Sequence, residues 1–464
     1  MRPMTAADMA SVIGGKLVRG GMDALSSGVS TDSRNIKPGE AFFALKGPRF
    51  DGHAFLKDVF AKGASVAVVE KEDNIAELPK GAAVISVKDA LKALGSLAAH
   101  ARNLHRIPVV AVTGSAGKTT TKEMIASILS VSRKVLKTEG NRNNLIGLPL
   151  TLLGLDASHE AAVLELGISE EGEMERLANI CRPDVALITN IGRSHLQSLG
   201  SIEGVQREKG RLFELLPPHG VKVVNLDDPR VVEAAKGPGE TVTYSISGKA
   251  DVQAEGWDSE GPFSGPGVVY KVRGKKVEAR FASPGFTNVV NGAAAVAAAL
   301  ALGAPIEDMA AGLSAPLAVK GRMAVVKAGG VVVLDDTYNA NPESMTAALK
   351  TLAGARGRKV AVLGDMLELG GVSAAEHASI GALAARLGVN ALVAIGEFSR
   401  STAEAARAAG VEKSFGFASK GEALNAIRAV VSDGDTVLVK GSRGVALEDV
   451  VEFLKRMDSE RACG

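Results

Sequence analysis

The stretch "RIPVVAVTGSAGKTTTKEMIASIL" (106–129) limits the fold more than any other part of the chain: an apolar run, a glycine-containing turn, then a helical pattern. A strand that ends in such a turn and re-enters as a helix gathers backbone N–H groups and the positive end of a helix dipole around one point, which makes an anion site. Strand, turn and helix in that order belong to a parallel sheet covered by helices. Short β-branched runs alternate with Ala/Leu-rich helical stretches through most of the remaining sequence, so the expected fold class is α/β. Strands are expected at "EAFFAL" and "ASVAVVE", then "AAVLELG", "DVALITN" and "GVKVVNL", and later "KVAVLGDM", "ALVAIG" and "DTVLVKGS". A β-rich patch over 241–285 reads as an antiparallel ribbon, and the Ala-rich stretch 289–305 as a close-packed helix.

A chain of 464 residues is too long for one core and points to about three domains. The expected boundaries are 1–106, 107–316 and 317–464. Lys+Arg 54 against Asp+Glu 52 leaves a net charge of +2 with no basic block, so no nucleic-acid partner is expected. Cys181 and Cys463 cannot build a disulfide framework, which suits a reducing cytoplasm. The N-terminus reads as a short amphipathic helix without the apolar core of a signal peptide. The 289–305 stretch is short, interrupted by Asn291 and Gly292, and mostly Ala, so stable membrane insertion is not expected.

The candidate phosphate contacts are Thr113, Gly114, Ser115, Ala116, Gly117, Lys118, Thr119 and Thr120. Lys118 is placed to reach the outer phosphates of a nucleotide, and the Thr119 hydroxyl to bind Mg²⁺. Val112 stands where the strict Gly-x-x-x-x-Gly-Lys-Thr pattern has its first glycine. On these residues alone, an ordinary glycine turn ahead of a helix remains the alternative.

"TGSAGKTT" resembles the variant loop of the Mur ligases, ATP-dependent amino-acid and peptide ligases of peptidoglycan synthesis, which also lack that first glycine. The resemblance implies a central P-loop-type parallel-sheet ATPase domain, flanked by an N-terminal UDP-sugar domain and a C-terminal Rossmann-like domain. It also gives roles to residues that would otherwise pass as solvated charges. Glu165 ends "AAVLELG" and His195 follows "LITNIGRS"; in the family such residues are ligands of a second Mg²⁺. Lys209 in "QREKGRLF" matches a lysine that is typically carbamylated and stands beside the metals, although Arg211 follows where relatives often carry Glu.

Other stretches are similar to the members that add the final dipeptide. Ser30, Thr31, Asp32, Ser33 and Arg34 lie in "VSTDSRN", implied to hold the UDP-sugar. Thr138, Asn141, Asn143 and Asn144 lie in "KTEGNRNNLIGLP", whose amides suit peptide and sugar groups. In "DDTYNANPESM", Asp336 is an implied ribose contact, while Asn339 and Asn341 lie where nucleotide and incoming dipeptide meet; without the resemblance this is a strand followed by a helix start. Asn288 and Asn291 in "PGFTNVVNGAAA" match an adenine-contacting segment, with Thr287 replacing its usual His, and Arg322 matches an arginine near the ATP phosphates or ribose.

The implied activity is the ATP-dependent joining of D-alanyl-D-alanine to UDP-N-acetylmuramoyl-tripeptide through an acyl phosphate, by a cytoplasmic monomer using ATP and Mg²⁺. Two rivals stay open. Folylpolyglutamate or cyanophycin-type ligases share the loop, and a P-loop switch would hydrolyse nucleotide with no amine dependence.

Overall fold

The computed structural model describes residues 2–47, 50–73, 75–258, 261, 263–316 and 320–462. The expected boundary at 316/317 and Cys463 lie outside them. The backbone forms three main sheets. The first has five strands in the order Lys16–Arg19, Ala83–Ser86, Val66–Val69, Glu40–Phe43, Gly28–Ser30, parallel except for the first pair.

The central sheet has nine strands, and its order explains where a ligand can sit. Val109–Thr113 lies between Val185–Ile188 on one side and Ala161–Glu165 on the other, all parallel. The chain leaves Val109–Thr113 towards one edge, through Val135–Lys137 and Ala161–Glu165, and later returns to build the other side. That reversal opens a crevice at the carboxyl ends of these strands, the place where open α/β sheets bind ligands. All five residues of Val109–Thr113 are buried, as a central parallel strand covered on both faces requires.

The expected ribbon is only partly antiparallel. Glu240–Ser245 joins the parallel run beside Val221–Asn225, and Val252–Asp258 pairs parallel to it; antiparallel pairing begins with Gly267–Val272 and Lys275–Arg280. Alternating residues describe a half-covered strand, but its direction is set by the route of the connection before it. The Ala-rich helix Thr287–Ala301 is buried along its middle, and a Cβ on Gly292 would come within 2.4 Å of the Tyr270 hydroxyl. Small side chains are needed there because helix and sheet approach so closely.

The third sheet has six strands: an antiparallel pair, Ala324–Ala328 and Val331–Asp336, then Thr436–Lys440, Lys359–Gly364, Ala391–Ile395 and Lys413–Phe417 in parallel. One hydrophobic cluster runs from the first sheet through helix Ala90–Asn103 into the central sheet. Arg102 pins this junction, donating to the carbonyls of Cys181 at 3.1 Å and His105 at 2.7 Å and to Asp184 at 3.2 Å. Among the described residues no helix is long and apolar enough to cross a membrane.

Candidate active site

The turn after Thr113 is shaped by two glycines. Gly114 has φ +148°, and a Cβ there would lie 1.9 Å from Thr189 Oγ1; Gly117 has φ +80°, and its Cβ would lie 2.5 Å from Asn291 Oδ1. Both positions therefore exclude a side chain sterically as well as conformationally. Neighbouring strands already satisfy part of the loop. Ser115 N–H donates to the Asn190 carbonyl, Ala116 N–H donates to Asn190 Oδ1 at 2.9 Å, and Thr189 Oγ1 donates to the Ala116 carbonyl at 2.6 Å. Ser115 Oγ donates to the Gly192 carbonyl, and the Thr113 hydroxyl to the Leu166 carbonyl. Those two side chains brace the loop, and the first turn of helix Lys118–Leu129 is left to offer its N–H groups to an anion.

Charged groups converge beside this turn. Lys118 Nζ donates to the Gly114 carbonyl at 2.7 Å; burial lowers its pKa, and it feels Glu165, Arg322 and Glu368. Glu165 is 2% exposed. Its N–H is held by Thr138 Oγ1 at 3.0 Å and its Oε1 accepts from Asn143 Nδ2 at 2.8 Å, whereas Oε2 is buried without a hydrogen-bond partner. Lys209, on helix Ile202–Glu214, is 1% exposed. Desolvation drives its pKa far down, Lys118 adds to the fall, and Glu208 opposes it. His195 takes a left-handed backbone, φ +55°, at the start of helix Leu196–Leu199, and its Nδ1 lies 2.5 Å from Glu368 Oε2.

Among the described residues no three His, Cys, Asp or Glu side chains converge closely enough to hold a metal. The donor set nevertheless fits a divalent cation in one specific way. A buried carboxylate oxygen without a partner is costly unless something positive meets it, and Glu165 Oε2 is such an atom. Glu165 and His195 are two donors; an anionic form of Lys209 would add oxygen to the set.

On the other side of the loop lies a cavity of about 860 Å³, lined by Gly117, Thr120, Asn288, Asn291, Arg322 and Asp336 among others. It joins the central and third sheets. Arg322 Nη2 donates to Thr119 Oγ1 at 3.0 Å while its guanidinium lies 4.2 Å over the Tyr338 ring. Asp336 accepts from Met323 N–H at 3.1 Å and from Lys440 Nζ at 2.6 Å. Asn288 donates to the carbonyls of Ser283 and Pro284, which fixes its amide at the cavity wall.

Several expected binding residues are used by the fold itself. Asn341 caps helix Pro342–Ala353, and its Nδ2 donates to the Ser115 carbonyl at 3.0 Å, clasping the third sheet to the phosphate loop. Asn144 Oδ1 accepts from Gly147 N–H at 2.9 Å at the start of helix Gly147–Leu152. Asn141 and Asn339 are exposed. Ser30, Thr31, Asp32, Ser33 and Arg34 do not line the cavity. They form a polar turn in which Arg34 makes a two-pronged contact with Asp32, at 2.9 and 2.8 Å, and holds its carboxyl well below the usual range.

The sequence reading missed Lys440, Tyr338 and Glu368. Lys440 ends a parallel strand, which is a usable signal. Tyr338 sits inside a segment already singled out. Glu368 lies in "VLGDMLELG" (362–370), a stretch that also resembles the family, but its meeting with His195 depends on how two sheets are placed.

Fold and site together define a multi-domain α/β protein with a glycine-shaped turn leading into a helix at the switch point of its central sheet. Family models described as Mur ligase family, catalytic domain, Mur ligase middle domain, and Mur ligase, glutamate ligase domain match residues 26–102, 112–299 and 321–443. The chain belongs to the Mur ligase family. The UDP-N-acetylmuramoyl-tripeptide--D-alanyl-D-alanine ligase of Escherichia coli strain K12 is 36% identical over 459 residues, 98% of this chain and 99% of the relative. A crystal structure of MurF from Acinetobacter baumannii superposes with a TM-score of 0.90 at 36% identity, covering 98% of this chain and 99% of that one. MurF from Thermotoga maritima, solved in complex with ADP, gives a TM-score of 0.82 at 29% identity, covering 94% and 98%.

Proposed function

We propose that this chain is an ATP-dependent ligase that joins D-alanyl-D-alanine to UDP-N-acetylmuramoyl-tripeptide, giving the UDP-N-acetylmuramoyl-pentapeptide precursor of peptidoglycan. The observation that carries the chemistry is the buried, unpartnered Glu165 Oε2 together with the deeply buried Lys209 beside the glycine turn that precedes helix Lys118–Leu129. The choice of substrates is supported by the full-length similarity to ligases of that name, and ATP use by the ADP-bound relative.

A carboxylate is a poor electrophile, and oxide a poor leaving group; phosphorylation cures both faults. The γ-phosphoryl group of ATP passes to the terminal carboxylate of the tripeptide, and the dipeptide amine attacks the resulting acyl phosphate and expels inorganic phosphate. The residues of this chain act by position and charge. The first turn of helix Lys118–Leu129 and the Lys118 ammonium face the phosphates. Arg322 and Asp336 line the cavity on the side of the third sheet, and Asn288 and Asn291 are at its wall for the base. Thr119, Glu165, His195 and Lys209 would hold Mg²⁺, which offsets the charge between phosphate and acceptor carboxylate. Desolvation keeps Lys209 ready to be the neutral amine that CO₂ carbamylates. The turn 30–34 and the loop 138–144 are offered to the UDP-sugar and peptide ends. The contact of Asn341 with Ser115 and of Arg322 with Thr119 brings the third sheet against the loop, where it excludes the water that would hydrolyse an acyl phosphate.

The domain limits we propose are 1–106, 107–316 and 317–464, in a monomer located in the cytoplasm. The test is phosphate release from ATP with each component omitted in turn, and mass measurement of the nucleotide product. Release that needs both tripeptide and dipeptide, with a pentapeptide product, is expected. Equal ATP consumption without the dipeptide would overturn the reading.

A further inference from the structure

His195 is the one candidate metal ligand whose ring is engaged from a different sheet. Its Nδ1 lies 2.5 Å from Glu368 Oε2, an ion-pair contact not aligned as a hydrogen bond, and the Glu368 carbonyl accepts the Gln197 N–H at 3.2 Å, at the second residue of the helix that His195 caps. Both residues are non-glycine and both hold left-handed backbones, φ +55° at His195 and φ +65° at Glu368. Such conformations cost free energy and persist where the surroundings impose them.

The surroundings of Glu368 do impose it. Asp365 accepts the N–H groups of Glu397 and Phe398 at 2.7 and 3.1 Å. Met366 N–H donates to His377 Nε2 at 2.9 Å, and Leu367 N–H donates to Ser442 Oγ at 2.9 Å. Met366 and Leu369 are buried on either side. Three anchors therefore present one half-exposed carboxylate to a histidine of the central sheet. An imidazole can give only one ring nitrogen to a metal, and which one it gives is decided by what engages the other. With Nδ1 facing a carboxylate, Nε2 is the nitrogen left for a cation.

We propose that Glu368 is a positioning residue for the metal site: supplied by the third sheet, it fixes the tautomer and orientation of His195, so that the metal site is complete only when that sheet is docked. The inference rests on the reading of His195 as a metal ligand. It accounts for the firm hold on this loop, and it gives docking of the third sheet a direct consequence for the metal.

The test uses Mn²⁺ as the probe, in bicarbonate-containing buffer, with free Mn²⁺ followed by its electron paramagnetic resonance signal on the full chain. Glu368→Gln keeps the shape and removes the charge, and should weaken Mn²⁺ binding about tenfold with an unchanged melting temperature. Glu368→Ala, a change at a half-exposed side chain, should do the same and serves if the Gln variant is unstable. Combined with His195→Ala, either should weaken binding no further than His195→Ala alone, because Glu368 acts through that ring. Wild-type affinity in both Glu368 variants, or losses that add to that of His195→Ala, would overturn the proposal while leaving His195 a ligand. No Mn²⁺ bound by the wild type, or equal binding by His195→Ala, would remove the metal reading and the proposal with it.

Discussion

Lys209 in the central domain and Lys440 at the end of a strand in the third sheet are buried to nearly the same degree, 1% and 2% exposed, and burial lowers the pKa of both. Their surroundings differ. Lys440 Nζ donates to Asp336 at 2.6 Å and to the Asn339 carbonyl at 2.9 Å, and the Asp336 charge resists the fall in its pKa. Lys209 has the positive Lys118 nearby and only Glu208 in opposition. A buried charge with a carboxylate against it is part of the fold; a buried amine facing another cation is destabilising unless chemistry uses it. Burial alone therefore does not distinguish the two lysines; the charge set against each one does.

The largest expected effect comes from breaking Lys209, the member proposed to act in the reaction. Lys209→Met should cut kcat by about 10²-fold or more, the scale for removing one group that stabilises transition-state charge, while the melting temperature holds or rises. Partial rescue of Lys209→Ala by formate or acetate, together with CO₂ dependence of the wild type, would mark the lysine as carbamylated. A silent Lys209→Met would collapse the comparison.

Breaking the paired member, Lys440, should act first on stability. Lys440→Met leaves Asp336 with an unopposed charge and should cost about 3–5 kcal/mol in urea unfolding, with Asp336→Asn in the same chain recovering part of the loss. A stable Lys440→Met would show that the pair contributes little. A smaller effect is expected at the loop. Gly117→Ala must hold a left-handed backbone, at about 1–2 kcal/mol, and displace Asn291, so nucleotide binding measured calorimetrically should weaken with little change in the metal site.

The smallest effect is in pH dependence. The native pKa of Lys440 lies below the ordinary 10.5, so between the two values the unfolded chain binds more protons. Stability from this group therefore rises with pH across that window, and the advantage of the wild type over Lys440→Met should widen as pH climbs towards 10.5. A constant difference would mean that burial and Asp336 cancel.

Much of this could be read along the chain. The phosphate turn, the strand that ends at Glu165 and the parallel class all follow from local patterns. The resemblance that brought Lys209 forward concerned a residue whose helix looks solvated by composition, and the structure places that face against the central sheet. What was hidden is what depends on long-range placement. Glu240–Ser245 pairs parallel because of the route taken by the preceding helix. The Asn144 amide turns into a helix start, and the Asn341 amide caps one helix while reaching a loop far away in sequence. Glu368 meets His195 only once two sheets have docked.

The most direct measurement is transfer of isotope during turnover. With ¹⁸O in the terminal carboxylate of the tripeptide, an acyl-phosphate route places one ¹⁸O atom in each inorganic phosphate released in the presence of ATP and D-alanyl-D-alanine, since the carboxylate oxygen leaves with the phosphoryl group. Phosphate free of ¹⁸O would mean that ATP is split by water, and would contradict the acyl-phosphate ligase at the centre of this account.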